Sequence, residues 1–253
     1  MAADIDLPRE LGWHALRSRA LYLDVDGTLL DLADTPDRVG APAGLVAVLD
    51  AVGTRLGGAL ALVSGRPVED LDRLFAPLRL AAVGVHGAQV RTADGPLRAA
   101  DAFGQRLDRV REALAGRLAQ WPGALVEDKG LALAVHYRNA PASEDAIRGA
   151  MQRLASLAGP KFALLHGKQV FELKPAALNK GSGIALLREA APFAGRLPVC
   201  IGDDVTDEAA FAYANAAHGT SIVVGDVARS AAQFRVEAPG TVRAWLTSLA
   251  QEA

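Results

Sequence analysis

Apolar residues along this chain fall into two alternating patterns. Short unbroken apolar runs predict buried strands at Ala20–Val25, Ala59–Val63, Ala81–Val85, Leu197–Ile201 and Thr220–Val224. Between them, helical spacing predicts helices, as at Leu45, Val48, Leu49 and Val52 within Ala43–Leu56, and after Pro67 through Phe75. Further helices are predicted over Ser182–Glu189, Glu208–Ala214 and Val242–Leu249. Strand–helix–strand repeats of this length imply an α/β fold, a Rossmann-like parallel sheet with helices on both faces.

The pattern changes at the turn-rich stretch Thr92–Pro96. A helix with Phe103, Leu107, Val110, Leu114 and Leu118 on one stripe comes next, stopped by Trp121-Pro122-Gly123. Strands at Ala124–Glu127 and Leu131–Tyr137 follow, then a helix from Ser143 to Leu157 with Ser143 as its cap, then strands at Lys161–Leu165 and Gln169–Leu173. This is an α+β unit inserted between two halves of the parallel-sheet domain. The expected division is 1–96 for the first part of the core, 97–173 for the insert and 174–253 for the second part.

Composition changes the picture little. The chain has 253 residues, 51% hydrophobic, with a net charge of -2, so a core is easily filled and no nucleic-acid surface is indicated. No apolar stretch is long enough for a membrane span, and Met1–Glu10 does not read as a signal peptide. The single cysteine, Cys200, lies in an apolar run and fits a reducing, cytoplasmic compartment. A monomer, or at most a weak homodimer, is expected. Only five of the 27 basic residues are lysines, all between Lys129 and Lys180. Either codon bias left them by chance, or several are kept because a compact ammonium is needed.

Candidate chemistry sits at the ends of the predicted strands, where open α/β sheets bind ligands. Leu21-Tyr22-Leu23 runs into Asp24-Val25-Asp26-Gly27-Thr28. If the chain is still extended there, Asp24 and Asp26 share one side. One is an available nucleophile and the other an available acid or base, and together they can hold a hard metal ion. The plain alternative is an Asx turn. A second acidic group, Asp203, Asp204, Asp207 and Glu208, follows the strand that ends at Ile201. It is either an acidic helix start or part of a Mg²⁺ site with Asp24. Ser64-Gly65-Arg66 also follows a strand, and its hydroxyl and N–H groups suit phosphate oxygens. Lys180 opens a helix, where a cation opposes the helix dipole unless it faces a carboxylate or phosphate. These pieces describe phosphoryl transfer through an aspartyl-phosphate. Dehalogenation at carbon has less need for Asp26, and a signalling receiver has no need for the insert.

Asp24-Val25-Asp26-Gly27-Thr28, Ser64-Gly65-Arg66, Lys180 and Gly202-Asp203-Asp204-x-x-Asp207 resemble, in order and spacing, the four motifs of the haloacid dehalogenase-like phosphatase superfamily. The resemblance implies Asp24 as nucleophile and Asp26 as acid/base. It implies Mg²⁺ bound by Asp24, the Asp26 carbonyl and Asp203, with Asp204 or Asp207 in support and the insert acting as a mobile cap. With Glu127-Asp128-Lys129-Gly130, His136-Tyr137-Arg138, Gly167-Lys168 and Glu172, the chain is similar to the trehalose-6-phosphate phosphatase family. That implies a small-molecule sugar phosphate as partner, its hydroxyls held by Glu127, Lys129 and Glu172. Arg138 and Lys168 would steady the cap or approach the phosphate. Gln89 stands where the family often has glutamate. His136 reads as a structural hydrogen-bonding group. Another sugar phosphatase, or a sugar-phosphate sensor without turnover, is the rival reading.

Overall fold

A computed structural model describes residues 2–31, 40–100 and 104–252. The chain divides into two compact units, Met1–Arg98 with Asn179–Ala253, and Ala99–Leu178. The second unit extends beyond Leu173, where the sequence pattern ended the insert. Its last strand runs to Pro175, Ala176 N–H donates to the Lys161 carbonyl, and Lys174 Nζ donates to the Leu178 carbonyl.

The strands, in chain order, are β1 (Ala3–Asp4), β2 (Arg19–Leu23), β3 (Leu60–Val63), β4 (Ala81–Gly84), β5 (Gln89–Arg91), β6 (Arg98–Ala99), β7 (Leu125–Asp128), β8 (Leu133–His136), β9 (Phe162–Gly167), β10 (Val170–Pro175), β11 (Leu197–Gly202), β12 (Thr220–Val224) and β13 (Phe234–Val236). The helices are α1 (Leu7–Glu10), α2 (Trp13–Leu16), α3 (Leu45–Arg55), α4 (Val68–Leu74), α5 (Gly104–Ala115), α6 (Glu144–Ala158), α7 (Lys180–Leu187), α8 (Glu208–Ala216) and α9 (Pro239–Gln251).

Among the described residues nine strands form the larger sheet, in the order β1-β13-β12-β11-β2-β3-β4-β5-β6. It is mixed rather than wholly parallel: β1, β13, β12, β11, β2, β3 and β4 run parallel to one another, whereas β5 pairs antiparallel with β4. The sequence pattern missed β1, β5, β6 and β13 because each has only two or three residues, too few to show a period. The central strands β2, β3 and β11 are apolar almost throughout, as expected for a sheet covered on both faces. Helices α3 and α9 pack together, as do α7 and α8. From β2 the chain builds outward through β3 and β4, and it later resumes on the other side of β2 with β11. The boundary between β2 and β11 is therefore the topological switch point, and a crevice is expected at the carboxyl ends of these two strands.

In the second unit β7, β8, β10 and β9 form an antiparallel sheet in that order. Alternation puts Leu133, Val135, Tyr137, Phe171 and Leu173 on one face, in a core with Leu107, Val110 and Leu114 of α5 and Ile147, Met151 and Leu154 of α6. Glu127, His136 and Glu172 fall on the opposite face by the same alternation and register. Two details differ from the sequence reading. Leu118 lies past the end of α5 in a separate 3₁₀ turn, and Ser143 makes no side-chain cap, because the chain enters α6 through a 3₁₀ turn over Pro141–Ser143. Phe103 lies outside the described residues. Among the described residues no helix is long and apolar enough to cross a membrane.

Candidate active site

Strand β2 ends at Leu23, and the next residue, Asp24, still donates its N–H to the Ile201 carbonyl of β11 at 2.9 Å. Its carboxylate thus stands at the switch point. Oδ1 of Asp24 accepts from Lys180 Nζ at 2.7 Å, and the same ammonium donates to Asp207 Oδ1 at 2.7 Å. Lys180 is held in place by its helix start. Asn179 caps α7, its Oδ1 accepting from Ser182 N–H at 2.9 Å while Ser182 Oγ accepts from Asn179 N–H at 3.0 Å. Two carboxylates thereby offset the unfavourable interaction of this lysine with the helix dipole.

Asp203 completes the group. Carboxylate oxygens of Asp24, Asp203 and Asp207 lie within 4.8 Å of one another, and all three residues are buried. Gly27 makes this approach possible. It has φ +89°, and a Cβ there would lie 2.3 Å from Asp203 Oδ2. Gly27→Ala is therefore expected to displace Asp203 and lower turnover by about 10²-fold with the far-ultraviolet circular dichroism retained. A variant of normal rate would show that Asp203 need not be where it stands.

Three buried carboxylates crowd together here, and the Lys180 ammonium bridges two of them, Asp24 and Asp207. Burial, and then the Asp207 and Asp203 carboxylates, push the Asp24 pKa well above the usual carboxylate range against the pull of Lys180. For Lys180, burial alone works against the ammonium, but Asp207 and Asp24 outweigh it and raise its pKa. Three close, buried carboxylates offer hard oxygen donors that fit a divalent cation. The two flanking acids of this segment part company. Asp207 Oδ2 accepts from the N–H groups of Asp203 and Asp204 at 3.2 Å each, whereas Asp204 Oδ1 accepts from Val205 N–H at 2.8 Å and caps the turn. Of the two, Asp207 stands in the cluster.

Asp26 is placed differently from the expectation of two carboxylates sharing one strand side. The strand has already ended, and a tight turn sets the direction: Leu29 and Leu30 donate to the Val25 carbonyl, and Gly27 donates to the Leu30 carbonyl at 2.7 Å. Asp26 meets Arg66, whose Nε donates to Oδ2 and Nη2 to Oδ1, each at 2.7 Å. The sequence reading offered the hydroxyl and N–H groups of Ser64-Gly65-Arg66 to phosphate; the guanidinium of Arg66 meets a carboxylate. Ser64 Oγ is buried and accepts from Arg66 N–H at 3.1 Å. Beneath this loop lies His86, whose ring would be 2.6 Å from a Cβ on Gly65. Val85 and His86 both have positive φ, 45° and 50°, an uncommon conformation that a neighbouring structure must enforce. Gln89 Oε1 accepts from Val68 N–H at 2.8 Å at the start of α4, an acceptor role that a glutamate performs equally well.

The second unit carries its own charged cluster on the sheet face away from α5 and α6. Lys129 Nζ donates to Glu172 Oε2 at 3.0 Å and lies 3.9 Å from Glu127 Oε2, while His136 Nε2 is 2.8 Å from that same Glu127 oxygen. Burial pushes the Glu127 pKa up, but the His136 hydrogen bond and Lys129 outweigh it and lower it. His136 is the member that the sequence reading left outside the cluster. Register could have found it, because Leu125 pairs with His136 and Glu127 with Ala134, which makes Glu127 and His136 diagonal neighbours. Arg138 Nε donates to Gln169 Oε1 at 2.9 Å, and Lys168 is exposed beside Gln169 at the β9–β10 turn, so the structure sets both at the end of the sheet.

A doubly wound sheet with a buried aspartate at its switch point, a lysine across from it and an inserted antiparallel unit defines a hydrolase core of the haloacid dehalogenase-like class. A profile of the trehalose-phosphatase family matches residues 22–239, and the chain belongs to that family. It is 47% identical over 206 residues to the probable trehalose-phosphate phosphatase of Sinorhizobium fredii, covering 81% of this chain and 77% of that one. It is 40% identical over 227 residues to the trehalose-6-phosphate phosphatase of Escherichia coli, covering 90% and 85%. Its fold matches the C-terminal domain of a Candida albicans trehalose-6-phosphate phosphatase with a TM-score of 0.87 over 100% of this chain and 99% of that one, at 21% identity.

Proposed function

We propose that this chain hydrolyses trehalose 6-phosphate to trehalose and phosphate through an aspartyl-phosphate. The observation that carries the chemistry is the buried group Asp24, Asp203 and Asp207 joined by Lys180. Asp24 attacks phosphorus, and the bond from phosphorus to the sugar oxygen breaks. Asp26 gives its proton to that leaving oxygen. Asp26 then takes a proton from water as the water attacks the acyl phosphate, which releases phosphate and restores Asp24. Lys180 holds Asp24 in place and offsets charge on the transferring oxygens, aided by the Ser64 hydroxyl and the Gly65 N–H. Asp24, Asp203 and the Asp26 carbonyl, with Asp207 beside them, would hold Mg²⁺, which when bound neutralises charge on phosphoryl oxygens.

The sugar assignment rests on the family and on the second unit. A disaccharide offers hydroxyls and little apolar surface, and the alternating acids and base of Glu127, Lys129 and Glu172 suit such a ligand. Arg138 and Lys168 are assigned to steadying the turn end of that sheet. The buried Cys200 supports a reducing, cytoplasmic setting.

A panel of phosphorylated sugars tests the reading, assayed with Mg²⁺ and again with EDTA. Trehalose 6-phosphate is expected to be turned over fastest, and EDTA to stop the reaction. Equal rates on glucose 6-phosphate would overturn the sugar assignment. Asp26→Asn is expected to lower turnover by at least about 10²-fold while binding of the sugar phosphate persists. An unchanged rate would remove Asp26 from the proton transfers.

A further inference from the structure

We propose that Arg66 is the positioning residue of Asp26, fixing the plane and reach of the acid/base carboxylate rather than gripping the substrate phosphate. This rests on the reading of Asp26 given above. The geometry is a two-point fork, Nε to Oδ2 and Nη2 to Oδ1, both at 2.7 Å. Such a fork fixes both the direction and the rotation of a carboxylate, which a single hydrogen bond to an ammonium does not.

Both ends of the fork grow from braced backbone. On the arginine side, Arg66 N–H donates to Ser64 Oγ at 3.1 Å and its carbonyl accepts from Val85 N–H at 3.0 Å, with Pro67 next in the chain. Val85 is the residue held at φ 45°, so the strained turn is one of the supports of Arg66. On the aspartate side, the Val25–Leu30 turn is closed by four backbone hydrogen bonds, from Leu29 at 3.0 Å, Leu30 at 2.9 Å, Gly27 at 2.7 Å and Thr28 at 3.4 Å. The side chains of Arg66 and Asp26 remain 16% and 31% exposed. The pair is therefore open enough for Asp26 to meet a ligand, and too wet to count as a major source of stability. What the fork supplies is placement, and misplacing a reacting group by about 1 Å can cost on the order of 10²-fold in rate.

A leaving-group comparison separates placement of Asp26 from a grip on phosphate. Sugar alkoxides need a proton to leave, whereas p-nitrophenolate does not. Single-turnover phosphorylation of Asp24 is measured with trehalose 6-phosphate and with p-nitrophenyl phosphate, in the presence of Mg²⁺. The proteins are the parent, Arg66→Met, Arg66→Lys, Asp26→Asn and the Asp26→Asn/Arg66→Met double variant. Arg66→Met is expected to slow the sugar reaction by about 10- to 100-fold and to leave the p-nitrophenyl reaction and inhibition by inorganic phosphate within about two-fold. Arg66→Lys keeps the charge and the stem, so it guards against loss of the fold. It is expected not to restore the sugar rate, because lysine has no fork. In the Asp26→Asn background, Arg66→Met is expected to add little, as for two residues acting as one unit.

An equal loss on both substrates, with weaker inhibition by phosphate and rescue by lysine, would overturn the proposal and return Arg66 to the phosphate. Losses that multiply in the double variant would overturn it while leaving the role of Asp26 intact. An Asp26→Asn variant with normal sugar turnover would overturn both the role of Asp26 and the proposal built on it.

Discussion

Asp24→Asn is expected to abolish hydrolysis without weakening the fold. The change keeps the size of the side chain and removes the attacking oxygen's charge. Loss of an activated nucleophile costs at least about 10⁴-fold in turnover in enzymes whose remaining groups only bind and polarise. The fold is a separate matter. Asp24 lies in a buried group with two other carboxylates and one ammonium, and its pKa is held high by burial and by Asp207 and Asp203. A carboxyl whose folded pKa lies above its unfolded value is one whose ionised form works against folding at neutral pH. Replacing it with a neutral amide removes one negative charge from the crowded group and leaves Lys180 its contact with Asp207. In the absence of added divalent cations the melting temperature of Asp24→Asn is therefore expected to equal or exceed that of the parent. A variant that retained more than about 1% of the parent turnover would rule out Asp24 as nucleophile.

How much of this was legible in the sequence depends on the range over which each feature is decided. The apolar runs at β2, β3, β11 and β12 are decided locally, by burial on both faces, and they were readable. So was the placement of Lys180, because a cation at a helix start needs a partner nearby, and Asp24 and Asp207 supply it. The two- and three-residue strands β1, β5 and β13 were not readable, because they exist only through the neighbour they pair with. In the site the same limit applies. Alternation along β2 could not aim Asp26, because the strand ends at Leu23 and a turn takes over. Its partner Arg66 lies 40 residues away, joined through the packing of two loops rather than through any periodic pattern. The divergence of Asp204 and Asp207 was likewise hidden, since it follows from which of these two acids, three residues apart, accepts from the Val205 N–H and which turns back to the Asp203 N–H.

Lys180→Met is expected to be the most damaging single change to the fold among the residues of the site. The ammonium is almost fully buried, with 2% of its side chain exposed, and it touches two carboxylates that are themselves buried. Methionine matches the length and removes the charge, so Asp24 and Asp207 lose the ammonium that both of them touch while Asp203 stays close by. Breaking a buried pair by removing one partner costs about 3–5 kcal/mol, because the remaining charge is stranded rather than solvated. For a domain of this size that corresponds to a fall in melting temperature of roughly 6–20 °C. The carboxylates can escape part of this by taking up protons or a divalent cation, and each escape has a signature. Added Mg²⁺ is expected to raise the melting temperature of Lys180→Met by more than it raises that of the parent, since a ligand that binds only the folded state stabilises in proportion to its affinity. Lys180→Arg is expected to restore little, because a planar guanidinium cannot occupy the space of a compact ammonium between Asp24 Oδ1 and Asp207 Oδ1, each 2.7 Å away. Melting curves of the two variants, with and without Mg²⁺, decide the matter. A Lys180→Met protein as stable as the parent, and no more responsive to Mg²⁺, would mean that the three acids do not need the lysine's charge in the folded chain.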